Sequence, residues 1–143
     1  MTAIAPSVPT VGSPPVSKAM SRTGWAMSGL VMLFMAFDAV GKLIMMTPVI
    51  EATRQLGYPE DLIRPLGVIA LACALLYAVP RTAVLGAILL TAFLGGAVAS
   101  HLRLGDPLFS HVLFGVYVGL FAWGGLFLRD ARLRALIPLW QDG

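Results

Sequence analysis

Residues 80–111 read PRTAVLGAILLTAFLGGAVASHLRLGDPLFSH, and their pattern decides the fold. The run 82–100 carries no charge, and its nineteen residues match what a bilayer core of about 30 Å asks of a helix. A compact polar segment, 101–106, follows, and a second apolar run begins at Pro107. Composition points the same way: 58% of 143 residues are hydrophobic and 12% charged, against about 25% charged in ordinary soluble domains. Ten basic and seven acidic side chains are few to cover a water-facing surface of this size, so lipid is the simpler solvent. The net charge of +3 is spread over loops and ends, which excludes a nucleic-acid footprint and leaves membrane lipids as the expected surroundings.

Working back toward the N-terminus, Pro80-Arg81-Thr82 is too short for anything but an antiparallel hairpin with the apolar run 62–79. That run offers Gly67, Ala70, Ala74 and Ala78 at spacings of three and four, small residues that let membrane helices approach closely. The link 47–64 is polar. Pro48, Val49, Ala52, Thr53 and Leu56 fit a short amphipathic helix at the interface, ended by Gly57 and the Tyr58-Pro59 turn. Glu60 and Asp61 then favour the start of the next span. A first span over 22–46 begins near Trp25, an indole suited to a membrane interface. Late in it stand Asp38 and Lys42, four apart on one face with the acid first. Neither charge is cheap in hydrocarbon, so this face is expected to look into the bundle.

Working forward, Ala92, Gly96 and Ser100 in the third span (82–100 or 102) suggest a packing face. Gly115-xxx-Gly119, Gly124 and Gly125 suggest another in the fourth span, 107–128. The fold class expected is all-α, an integral membrane four-helix bundle. A flexible N-terminal tail occupies 1–21, the four-helix domain 22–128, and a basic interfacial tail 129–143. In that last tail Arg129, Arg132 and Arg134 alternate with Leu133, Leu136, Ile137 and Trp140. The termini and the turn at Arg81 hold six Lys and Arg, and the opposite side three or four, so the positive-inside rule puts both termini in the cytoplasm.

Two constellations carry chemistry. The Asp38–Lys42 pair suits proton handling or ligand binding inside the bundle; a structural ion pair orienting the first helix is the plainer reading. His101, Arg103, Asp106 and His111 gather between spans three and four, where imidazoles can ligate a metal or haem or hydrogen-bond a quinone carbonyl. The plainer reading is a polar loop, with Asp106 capping the fourth helix and Pro107 at its first position. Cys73 lies in an apolar run and reads as a core residue, and no intramolecular disulfide can form from one cysteine. Tyr58, Tyr77 and Tyr117 suit packing or interfacial anchoring as well as a cavity, and Met45-Met46 reads as hydrophobic filling. Dinucleotide, P-loop, CxxC, HExxH and nucleophile-elbow patterns are all missing, which argues against an enzyme acting on its own.

The order of short motifs resembles the DoxX-like family of small bacterial membrane proteins. The residues that carry it are Gly41-Lys42, Leu56-Gly57-Tyr58-Pro59, Val79-Pro80-Arg81-Thr82, His101-Leu102-Arg103 and Gly105-Asp106-Pro107, within about 22–136. The chain departs from that pattern at Ala70, where relatives often carry a carboxylate. The resemblance implies a multi-pass protein of a bacterial inner membrane, a non-catalytic subunit or accessory of a membrane complex. Quinone is the cofactor it suggests, by analogy with members tied to quinone-linked sulfur oxidation or to complexes handling oxidative stress. Asp38, Lys42, His101, Arg103, Asp106 and His111 are then the expected ligand-binding residues, with no catalytic and no metal site. A small proton-coupled transporter using Asp38 and a purely structural assembly partner stand as alternatives.

Overall fold

A computed structural model of the chain describes residues 17–136. Residues 1–16, most of the expected N-terminal tail, lie outside the described residues, as do Ile137 and Trp140. Among the described residues every regular element is helical. Helix α1 (Lys18–Leu43) is followed by the short α2 (Thr47–Gln55) and by a 3₁₀ turn at Glu60–Leu62. Then come α3 (Ile63–Ala78), α4 (Ala83–Leu104), a π-helical turn at Leu108–Val112, α5 (Phe114–Arg129) and α6 (Ala131–Leu136). Four of these units are long and apolar enough to cross a membrane: Lys18–Leu43, Glu60–Ala78, Ala83–Leu104 and Leu108–Arg129. The protein is an all-α, multi-pass membrane bundle.

The first span starts earlier than its apolar run because Ser17 caps it: Met20 N–H donates to Ser17 Oγ at 3.2 Å. The 3–4 hairpin is as tight as Pro80-Arg81-Thr82 requires. Thr82 Oγ1 donates to Leu76 O at 2.8 Å, tying the end of α3 to the start of α4. Around the bundle α1 packs on α3, α3 on α4, α4 on α5 and α5 back on α1. The four spans thus close a square.

Burial differs from that of a soluble bundle: beside Met35, Leu90 and Leu126, small residues fill the helix contacts and many large apolar ones stay outside. Ala39, Ala70, Ala74, Ala83, Ala87 and Ala122 are buried at the helix contacts, while Leu33 (70% exposed) and Leu120 (64%) point outward. Lipid tails are as apolar as leucine, so little is gained by hiding Leu and Phe; close van der Waals contact between backbones is what brings the helices together. Ala70 serves this purpose. It is fully buried in the central cluster with Ala39 and Ala74.

One polar network crosses the core. Tyr77 OH donates to Ala122 O at 2.7 Å and lies 2.9 Å from Ser28 Oγ. The tyrosine hydrogen is committed to the carbonyl, so the serine hydroxyl donates to it. Three spans are joined, and every hydroxyl is satisfied in a region where an unmatched polar group is costly. Beside it α1 and α5 touch at glycine: Gly24 and Gly125 approach so closely that a Cβ on Gly125 would lie 2.6 Å from Ser28 Oγ. The Gly115-xxx-Gly119 pair divides. Gly115 packs against Val98 and Leu94 of α4, but Gly119 meets nothing within 4 Å. Cys73 is buried, as its apolar setting predicts.

Candidate functional site

The end of the bundle that holds the α1–α3 and α4–α5 connections is built differently from its middle. Helix α1 stops in a left-handed residue, Met45 (φ 57°), with Met46 N–H donating to Gly41 O at 2.9 Å. This is the wrap-around C-cap normally supplied by glycine, and it turns the chain back so that α2 lies across the bundle mouth. Val49 of α2 rests on Gly41; a Cβ there would sit 2.8 Å from Val49 Cγ2. Helix α2 ends at Gly57 (φ 84°), as the glycine predicts. Helix α4 ends the same way at Gly105 (φ 72°), with Asp106 N–H donating to His101 O at 3.2 Å.

Between these caps lies a cavity of about 690 Å³, inside the range of about 300–1,000 Å³ common for small-molecule sites. Asp38, Lys42, His101, Asp106 and His111 all line it. Lys42 is buried and donates through Nζ to Asp38, an ion pair whose carboxylate side chain keeps 26% of its surface exposed. His101 Nδ1 lies 2.6 Å from Asp106 Oδ2. A hydrogen on Nδ1 joins the imidazole to the carboxylate, which leaves Nε2 as the ring nitrogen open to another partner. The π-turn brings His111 alongside, its ring 5.9 Å from that of His101, with Ser110 Oγ 2.8 Å from His111 Nδ1. The remaining wall is apolar: Phe34 and Phe114 meet edge to face at 5.2 Å, and Phe93 and Leu66 extend it.

Three expectations need correction. Arg103 does not line the cavity; its Nη2 donates to Leu56 O at 2.8 Å and its guanidinium covers Gly57, so it straps α4 to the end of α2. Asp106 does not cap the fourth helix. Its carboxylate is engaged by His101, and the chain enters that span through the π-turn, which has no side-chain cap. Ala92 and Gly96 line the cavity instead of packing on a neighbour, while Ser100 Oγ donates to Gly96 O and lies 2.8 Å from Tyr58 OH. The packing face of α4 is Ala83, Ala87, Leu90 and Leu94, about half a turn away.

The sequence analysis did not single out Phe34, Phe93, Phe114 or Val49 as cavity residues. Single apolar side chains in an apolar chain carry no mark that separates a wall residue from a lipid-facing one. The Tyr58–Ser100 bond had a faint one, a hydroxyl four residues from Gly96 at the polar end of a span.

The DoxX-like family model matches residues 26–125, which covers most of the first and fourth spans, the whole of the two between them, α2 and every residue of the cavity wall named above. No curated protein and no solved structure matches the chain.

Proposed function

Since the chain belongs to the DoxX-like family, we propose that it is a non-catalytic membrane subunit that holds an apolar molecule with a polar head, of the quinone class, in the cavity under α2. The observation that carries this reading is the convergence of Asp38, Lys42, His101, Asp106 and His111 on one cavity whose other walls are aromatic and aliphatic. Charges inside a membrane bundle are expensive and mark ligand or ion paths far more often than charges in water do. A quinone ring matches the phenylalanine wall. Its carbonyl oxygens accept hydrogen bonds from the Lys42 ammonium, and the hydroxyls of the reduced form donate to the remaining ring nitrogen of His101, Nε2. Asp38, bonded to Lys42, offsets the ammonium charge, so that a neutral ligand meets a polar but balanced site.

Both termini belong on the cytoplasmic side of a bacterial inner membrane in this reading, supported by the excess of Lys and Arg at that end of the bundle. The membrane complex partner is a redox assembly that draws on the bound quinone. Purification in a mild detergent, followed by extraction and analysis of co-purified lipids, tests the ligand. A quinone in the extract and a quinone-dependent rise in the unfolding temperature are expected. An extract free of quinone, with no thermal shift on adding one, rejects the reading.

A further inference from the structure

A second, smaller cavity lies at the other end of the bundle and plays no part in the site under α2. Its volume is about 330 Å³, and Arg81, Arg129 and Arg132 line it together with Trp25, Asp130 and Pro80. Three arginines share the lining with one aspartate, whose carboxylate is engaged locally, accepting Arg132 N–H at 2.9 Å on Asp130 Oδ1. None of the three arginines forms an ion pair with a described residue. Arg129 is nonetheless held firmly. Its Nη2 donates to Tyr77 O at 3.2 Å, and its guanidinium carbon lies 4.2 Å from the centre of the Trp25 ring and 5.2 Å from that of Tyr77. Its Nε is buried and has no hydrogen-bond partner among the described residues.

We infer that this cavity binds a phosphate group carrying net negative charge, supplied by the headgroup of an anionic phospholipid. A guanidinium fixed over an aromatic ring is already ordered, so little side-chain entropy is lost when its planar fork meets phosphate oxygens. The cavity lies where the N-terminal part of α1, the end of α5 and the α3–α4 turn meet, next to a half-exposed Trp25, a residue that marks the headgroup level. Basic pockets at such depths are the usual receptors for acidic lipid headgroups. Among the described residues of that wall three arginine charges stand against the single Asp130 carboxylate, and an added anion stabilises the excess.

The experiment uses the full chain in a neutral detergent with three probes: short-chain phosphatidylglycerol, short-chain phosphatidylcholine, whose choline cancels the phosphate charge, and inorganic phosphate. Dissociation constants are measured for the wild type, for the Arg81→Gln/Arg132→Gln double variant and for Arg81→Lys/Arg132→Lys. Arg129 is left intact because it also supports the core. Phosphatidylglycerol is expected to bind at least tenfold more tightly than phosphatidylcholine, to lose at least tenfold in the glutamine variant and to lose much less in the lysine variant. Inorganic phosphate binding as tightly as phosphatidylglycerol, with the same dependence on the arginines, keeps the phosphate site but makes free phosphate its ligand and overturns the lipid assignment. Equal affinity for the two lipids with no binding of inorganic phosphate, or an unchanged glutamine variant, overturns the site itself. Should the glutamine variant not fold, a salt titration of the wild type decides: affinity must fall severalfold between 50 and 500 mM salt, and a flat response overturns the proposal.

Discussion

Replacing Gly125 by alanine puts a methyl carbon 2.6 Å from Ser28 Oγ and 3.0 Å from both Gly24 O and Ser28 N, where ordinary contact begins at 3.4 Å. The shortfall is roughly 0.4–0.8 Å, and a gap of that order along the contact forfeits a quarter or more of the local dispersion energy. Two of the three obstacles are backbone atoms, which cannot turn aside. The third is a hydroxyl already bonded to Tyr77, so moving it breaks the core network. Overpacking of this kind costs about 1–3 kcal/mol, against a gain of up to about 1 kcal/mol from replacing glycine by alanine in a helix. Gly125→Ala is therefore expected to destabilise the bundle by about 1–2 kcal/mol. Gly119→Ala, six residues earlier on the same helix with nothing within 4 Å, is expected to be neutral or stabilising by up to about 1 kcal/mol. Reversible unfolding by sodium dodecyl sulfate in mixed micelles, followed by circular dichroism or tryptophan fluorescence, measures both. Equal stabilities for the two variants would refute the close α1–α5 crossing on which the bundle rests.

Two further substitutions probe features of the same frame. Tyr77→Phe removes a fully buried hydroxyl and leaves Ser28 Oγ and Ala122 O to find other partners; a loss of about 1–2 kcal/mol in the same unfolding assay is expected. Met45→Gly relieves a left-handed backbone in a residue other than glycine and should stabilise by about 1 kcal/mol without altering the spectrum of the folded state.

The spans were legible in the sequence because a bilayer demands predominantly apolar runs of sufficient length, and four such runs stand out between polar links. The i, i+4 relation of Asp38 and Lys42 likewise announced their ion pair and its inward face, since a lipid-facing alternative is too costly. Gly57 marked the end of α2 for a similar reason, being the residue that adopts a left-handed cap without strain. What stayed hidden depends on the rotation of each helix about its axis. In water a hydrophobic stripe reports that rotation; here Leu33 and Leu120 face outward while Ala39 and Ala70 lie inside, so apolarity no longer separates inside from outside. The stripe of Ala92 and Gly96 was thus read as a packing face when it borders the cavity. Met45 gave no sign of its cap because methionine rarely takes that conformation. Arg103 was grouped with the histidines by proximity in the chain, yet at the end of α4 its long side chain reaches the Leu56 carbonyl instead.

A cavity that takes an apolar ligand must lose it when its space is filled. Gly96 lines the cavity and has nothing within 4 Å of where a Cβ would stand, whereas its neighbour Gly95 is equally unobstructed and lies outside the wall. Gly96→Leu and Gly95→Leu therefore form a matched pair, to be titrated with a short-chain quinone by tryptophan quenching in detergent. Binding weakened at least tenfold in Gly96→Leu, with Gly95→Leu behaving as wild type, is the expected result. Wild-type affinity in Gly96→Leu would contradict a ligand held between Asp38, Lys42 and the two histidines.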